Sequence, residues 1–424
     1  MQSARVVLNR LVRVEPGEGA ALAWSFAYFF CLLCGYYVLR PLRDEMGVQS
    51  GVENLPGLFT ATFVAMLATV PLFGWAAAKL TRARLLPWVY LFFLANLGVF
   101  YILFRGGADA VVARVFFVWV SVFNLFVVSV FWSFMADIFS PEQAKRLFGV
   151  VSAGGTCGAL TGPTLTAVLA APLGTANLLL VSCAFLLAAL ACIGALLRWA
   201  RARSAGEPVQ REIMIGGTTW SGVAAVARSP YLLGIVAYVL LYTVLLGLAY
   251  FDTVRLIAQS YPDSAERTAL FARVDLAVNV LTLLGQTFIV AKLVEKLGVG
   301  VALAVLPALA LAGFATIGAL PILAVLIVFQ IVRRAADYAI ARPAREMLFT
   351  VLDRDEKYKS KNFIDTVVFR GGDAASGWTH AALSKLGLGL SGIAFAAIPG
   401  VLAWLAVGLF LGRRYARSSA PQKV

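Results

Sequence analysis

Apolar stretches long enough to cross a bilayer follow one another along nearly the whole chain, and this leaves few folds open. A helix needs about 20 consecutive apolar residues to span the hydrocarbon core. Windows of that kind fall near 19–43, 57–79, 85–104, 111–136, 147–171, 175–197, 230–251, 268–290, 297–317, 319–341, 362–384 and 388–411. Twelve such spans account for most of the 424 residues and leave short loops. Charged residues make up only 14% of the chain, against roughly 25% in an average soluble protein. A soluble globule, a disordered chain and a disulfide scaffold are therefore excluded. The expected fold is an all-α polytopic membrane protein. Its longest polar connections are 198–229 and 342–361. The first divides the chain into an N-terminal six-helix bundle at 1–197, a cytoplasmic linker at 198–229 and a C-terminal six-helix bundle at 230–424.

The net charge of +14 would suggest nucleic acid in a soluble protein. Here it reads as topology, because cytoplasmic loops concentrate Lys and Arg. With the N-terminus inside, 25 basic residues fall on the inner side, 7 on the outer side and 4 inside spans. That split places both termini in the cytoplasm. Trp75, Trp88, Tyr90, Trp199 and Tyr415 sit near span ends, as interfacial aromatic belts require. The start of the chain, with Arg5, Arg10 and Arg13, reads either as a basic amphipathic helix on the inner face or as a frayed tail.

Charges inside spans cost about 2.5–3.5 kcal/mol each on insertion scales, so they need a reason. Span 10 carries Arg333, Arg334 and Asp337. Arg333 and Asp337 are four apart and share a helix face; Arg334 and Asp337 are three apart and offer the other pairing. Span 11 carries Arg370 and Asp373, also three apart. Span 8 carries Arg273 and Asp275, which point to different neighbours. Span 1 ends in Arg40-Pro41-Leu42-Arg43-Asp44-Glu45, where Pro41 should kink or loosen the helix. Guanidinium groups offer several donors in a fixed fork and suit phosphate or carboxylate. The functional reading is a cationic cavity for an anionic solute, with nearby carboxylates balancing the arginines or binding a proton. The plainer reading is a set of structural ion pairs.

Other features are quieter. Gly154, Gly158 and Gly162 form a GxxxGxxxG ridge suited to close helix packing. The five cysteines lie in apolar stretches, and Cys31 and Cys34 read as packing residues. The lone His380 reads as a packing or pore-wall residue rather than a proton relay. No metal spacing, cofactor motif or phosphate-binding GxxxxGK[ST] loop appears, which disfavours an ATP-hydrolysing pump. Short echoes recur at matching places in the two halves. Ala78-Lys79-Leu80 matches Ala291-Lys292-Leu293, Ala136-Asp137 matches Ala336-Asp337, and Gly154-Gly155 matches Gly371-Gly372. A six-plus-six repeat of this kind suggests the major facilitator fold, with spans 1, 4, 7 and 10 lining the substrate path.

Four segments resemble the ATP/ADP translocase (nucleotide transporter) family of plastids and intracellular bacteria. Leu39-Arg40-Pro41-Leu42-Arg43-Asp44 is similar to that family's Leu-Arg-x-x-Lys-Asp. Phe131-Trp132 with Gln143-Ala144-Lys145-Arg146-Leu147-Phe148 resembles Phe-Trp…Glu-Ala-Lys-Arg-Phe-Tyr. Pro343-Ala344-Arg345-Glu346-Met347 is similar to Pro-Thr-Lys-Glu-Met. Lys359-Ser360-Lys361-Asn362-Phe363-Ile364-Asp365, running to Arg370-Gly371, looks like Lys-Gly-Lys-Ala-x-Ile-Asp…Arg-x-Gly-Lys. The resemblance implies a major-facilitator-like carrier of nucleotides or related phosphorylated anions. It gives Arg43 the place of the first helix's nucleotide-facing lysine, with Asp44 as its neighbouring acid. Arg370 becomes the eleventh helix's arginine, and Lys145, Arg146, Arg345, Glu346 and Asp365 become cytoplasmic-gate residues. Two places depart from the pattern. The family's eleventh-helix lysine falls on Gly372 or Asp373. Its Glu-x-x-Trp-Lys pattern in the seventh helix reads Tyr250-Phe251-Asp252-Thr253-Val254-Arg255.

The combined expectation is a bacterial inner-membrane carrier, a monomer without a cofactor, that exchanges an anionic metabolite by alternating access. Arg40, Arg43, Arg333, Arg334 and Arg370 would bind the substrate's charge, and Asp44, Asp275, Asp337 and Asp373 would balance it or couple to protons. The alternative is a proton-coupled exporter of drug-like or peptide-like solutes. A membrane-embedded enzyme is the third class, disfavoured because clustered His, Asp or Glu at a membrane face are missing. A nucleic-acid polymer is not an expected partner.

Overall fold

The computed structural model describes residues 14–79, 82–107, 109–203 and 221–419. Arg5, Arg10 and Arg13, the middle of the linker and Lys423 lie outside the described residues. All regular structure among the described residues is helical. The helices are α1 (Gly19–Gln49), α2 (Leu55–Lys79), α3 (Arg82–Arg105), α4 (Ala110–Ile138), α5 (Pro141–Arg203), α6 (Ser221–Arg228), α7 (Pro230–Ser260), α8 (Ser264–Phe288), α9 (Val290–Ala319) and α10 (Leu323–Ala336). They continue with α11 (Arg342–Leu348), α12 (Arg354–Phe363), α13 (Phe369–Lys385) and α14 (Leu390–Ser419). All twelve sequence windows fall largely on helix. Among the described residues, nine helices are long and apolar enough to cross a membrane. One of these, α5, contains two windows. It bends at Gly174, whose φ of 74° suits a residue without a Cβ. Helix α1 runs through Pro41 to Gln49, beyond the expected end at 43.

Local chemistry sets several helix starts. Asp109 accepts from the Val112 N–H at 2.8 Å and opens α4. Ser140 and Gln143 form a reciprocal box, side chain to backbone in both directions, that opens α5. Ser229 caps α7, and Pro230 supplies a fixed φ at its first turn. Windows 10 and 11 are interrupted. A π turn at Asp337–Ala341 separates α10 from α11, and another at Ile364–Val368 separates α12 from α13.

The chain packs as two units. The first gathers the described residues of 1–49, 68–213 and 263–276, and the second those of 50–67, 214–262 and 277–419. In the first, α1 lies close along α5 over the glycine ridge. A Cβ at Gly162 would sit 2.7 Å from the Cys34 carbonyl oxygen, and one at Gly154 or Gly158 would strike the Phe26 or Phe30 carbonyl. The ridge is thus the close-packing surface expected from its spacing. Around it, Phe29 stacks on Phe131 with centroids 4.2 Å apart, and the Tyr28 and Tyr90 hydroxyls meet at 2.5 Å. The second unit buries Trp404 among α7, α9 and α14, where the Tyr238 hydroxyl donates to the Leu303 carbonyl at 2.8 Å.

Each unit leaves large apolar side chains outside. Trp88 is 71% exposed, Ile102 70% and Leu386 78%. Such surface is a liability in water but suits lipid tails, where association relies on packing and interhelical hydrogen bonds.

Candidate functional site

The charged end of α1 belongs to the first unit. The Arg43 guanidinium donates to Asp44 at 2.9 Å and to Ser121 of α4 at 3.4 Å, and lies 4.7 Å from the centroid of Phe117. One turn earlier, Arg40 lies 3.5 Å from Asp275 of α8, a carboxylate that is almost fully buried. Asp275 therefore balances Arg40 across two helices. Beyond them Glu45 and Arg267 form a bidentate pair, at 2.7 Å from Nε and 2.6 Å from Nη2, with both side chains buried. Gln49 donates to Glu45 at 3.2 Å and to Ser264 at 3.0 Å. Arg267 and Glu45 lie 222 residues apart in the chain.

At the start of α1, Glu18 is the hub. It accepts from Gln143 at 2.8 Å and from Arg146 at 3.0 Å, and Arg146 also reaches Glu15 at 3.2 Å. Burial pushes the Glu18 carboxyl up, but the Glu15 N–H, Gln143 and Arg146 outweigh it and hold it below its ordinary value. Lys145, next to Arg146, is exposed.

The second unit holds the other arginines. Arg333 is buried on α10, donates to Gln330, and has a buried Nε without a partner. Gln330 in turn donates to Thr253 of α7 at 3.1 Å. Arg334, one residue on, is half-buried on a different face. The spacing offered Asp337 either Arg333 or Arg334 as a partner. Asp337 instead accepts from Arg342 at 3.1 Å and from the Tyr242 hydroxyl at 2.9 Å. The π turn explains the change. It closes a backbone bond from the Arg342 N–H to the Asp337 carbonyl, five residues back, so these side chains come into register. Arg342 also lies 4.4 Å from the centroid of Tyr338.

On α13 the expected spacing holds, with Arg370 donating to Asp373 at 3.3 Å. The neighbouring Gly372 packs onto α7. A Cβ there would lie 3.0 Å from the Thr243 Cβ and closer still to its hydroxyl. No longer side chain fits at Gly372, so Asp373 is the residue free of that contact. Toward the start of the same segment, Arg345 reaches Asp365 at 3.6 Å and Lys361 pairs with Glu346. Farther along α13, His380 lies 2.8 Å from Asp252 of α7. The reading of His380 as a packing or pore-wall residue named no partner, and the structure gives it Asp252. The signal of that contact in the sequence was a lone histidine and a displaced acid, with nothing to say that they meet.

The site arginines thus divide into Arg40 and Arg43 in one unit and Arg333, Arg334 and Arg370 in the other. Among the described residues no group of three or more His, Cys, Asp or Glu is placed to hold a metal ion. The chemistry available is anion binding by guanidinium groups, with carboxylates as counter-charges.

Comparisons with known proteins bear on the family and the fold. The family model described as TLC ATP/ADP transporter matches residues 217–415. ADP,ATP carrier protein 1 of Chlamydia muridarum (strain MoPn / Nigg) is 22% identical, and the match covers 94% of this chain and 89% of that protein. Among solved structures, an auto-inhibited POT family peptide transporter matches with a TM-score of 0.65 at 13% identity, over 93% of this chain and 96% of that one. A bacterial homologue of the iron transporter ferroportin matches with a TM-score of 0.63 at 14% identity, over 93% and 98%. The fold is that of the major facilitator transporters, as the internal echoes suggested, and the chain is a multi-pass membrane protein.

Proposed function

We propose that the chain is a member of the TLC ATP/ADP transporter family, to which residues 217–415 are similar, and that it is a secondary carrier exchanging nucleotides across the bacterial inner membrane, with both termini in the cytoplasm. It works as a monomer by alternating access. The observation that carries this reading is Arg333, a buried guanidinium whose Nε has no partner among the described atoms. A buried charge left short of hydrogen bonds costs several kcal/mol unless something supplies the missing acceptor. A phosphate oxygen does so, in the forked geometry that arginine favours. Arg43 and Arg370 each hold a carboxylate next to them. Those carboxylates are counter-charges that the phosphates displace on binding, so the empty and loaded sites both stay near neutral.

Counterflow tests the reading. Purified protein in liposomes filled with unlabelled ADP should take up labelled ATP, and omission of internal ADP should abolish uptake. Charge-assisted hydrogen bonds contribute about 1.5–3 kcal/mol each. Arg43→Ala and Arg333→Ala should therefore each lower uptake by roughly ten- to a hundredfold. Normal uptake by both variants would remove these residues from the site. No exchange of any labelled nucleotide or sugar phosphate by the native protein would remove the substrate class.

A further inference from the structure

Asp252 and His380 have no part in the anion site, yet both are buried, Asp252 on α7, which is long and apolar enough to span, and His380 on α13, in the eleventh apolar window of the sequence. His380 is the chain's one histidine. Close helix approach brings them together. Gly247 of α7 accepts Ser376 against its backbone, and a Cβ on Gly377 would lie 2.8 Å from the Pro56 Cα and 3.1 Å from the Phe251 ring. The imidazole then sits 5.5 Å from the centroid of Phe251, which packs on Phe59.

Other charge is sparse on the elements packed around the pair. On α7, Arg255 is exposed and lies about one turn away. On α13, Asp373 and Arg370 lie two or more turns back and pair with each other, and Lys385 lies beyond His380. Helix α10 presents Gln330 to Thr253, and its nearest charge is Arg333. The 3-10 turn Val52–Asn54 carries Glu53, which is exposed and accepts from Asn54 at 3.4 Å. The α2 residues of this unit have no charge, nor does α14 before Arg413.

A structural tether here has simpler forms, because two apolar residues of the same volume pack without desolvating charge. Ionisable groups inside a spanning helix mark ion and proton paths by default, and histidine changes charge between about pH 5 and 8. We propose that Asp252 and His380 form a proton-binding site that takes up a proton with the entering anion, ATP, and releases it on the far side, while ADP leaves without one. The proposal rests on the nucleotide reading only for the identity of that anion.

An ionised carboxylate only accepts, so a neutral His380 facing it keeps its hydrogen on Nε2 and its lone pair on Nδ1. A proton from water bonds to that lone pair and gives an imidazolium–carboxylate pair. Loss of the same proton to water on the other side restores the starting state, and no other bond changes.

The lone histidine makes the test direct. Protein labelled with 15N-histidine, purified on a tag without histidine, should show one imidazole whose nitrogen shifts titrate between about pH 5 and 8. Asp252→Asn should alter that response, because it removes the carboxylate that faces the imidazole. In liposomes holding ADP, an outside-acid gradient of one pH unit should raise labelled ATP accumulation up to about tenfold. His380→Lys keeps a fixed charge against Asp252 but cannot cycle a proton in that range, and it should lose this gain. An imidazole that stays unchanged across the range, or ATP exchange indifferent to the gradient, overturns the proton site. A titrating imidazole in native protein that exchanges no nucleotide supports the proton site and overturns the nucleotide reading instead.

Discussion

Gly372 carries more information than most side chains in the site. It stands where the family resemblance offers two places for a lysine, and its contact with Thr243 excludes one of them. Gly372→Lys should therefore lower the thermal midpoint through overpacking, at a cost of about 1–3 kcal/mol or more. Asp373→Lys should fold with a smaller loss and bind nucleotide more tightly, because it adds a cation beside Arg370. Thermal-shift curves with and without ATP check both; equal melting losses for the two variants would contradict the packing argument. At this scale the sequence was informative wherever partners lie within one helical turn. Arg370 and Asp373 pair as their spacing of three requires. Arg333 and Asp337 also have the spacing for a pair, but the π turn beginning at Asp337 brings Arg342 round to it instead.

Among elements, α1 and α8 meet through charge. Glu45 and Arg267 are both buried, and Arg40 and Asp275 lie on the same two helices. Removing one member of a buried pair leaves an uncompensated charge, which costs about 3–5 kcal/mol. Glu45→Gln should lower the thermal midpoint clearly, and the exchange Glu45→Arg with Arg267→Glu should recover part of the loss. An unchanged midpoint in Glu45→Gln would mean that the pair is solvated rather than buried. None of these cross-helix partners was legible in the sequence. An acid and a base 222 residues apart carry no mutual signal. The GxxxGxxxG ridge was legible, because its repeat of four puts all three glycines on one face of α5, where α1 now lies.

For the whole molecule, the basic residues make the orientation testable. Arg201 is exposed at the end of α5, and Leu386 is exposed just beyond α13. In a background with the five native cysteines replaced, a membrane-impermeant maleimide on intact cells should label Leu386→Cys and spare Arg201→Cys. The reverse pattern would invert the topology. The sequence by itself determined where apolar helices fall, the charge bias and the family motifs. Apolar length, loop charge and short-range spacing are local quantities that do not depend on neighbours. The tertiary structure decided which charge meets which. Helix rotation and register follow from packing at points such as Gly158, Gly372 and Gly377. In the folded chain Asp252 meets His380, Arg40 meets Asp275 and Glu45 meets Arg267.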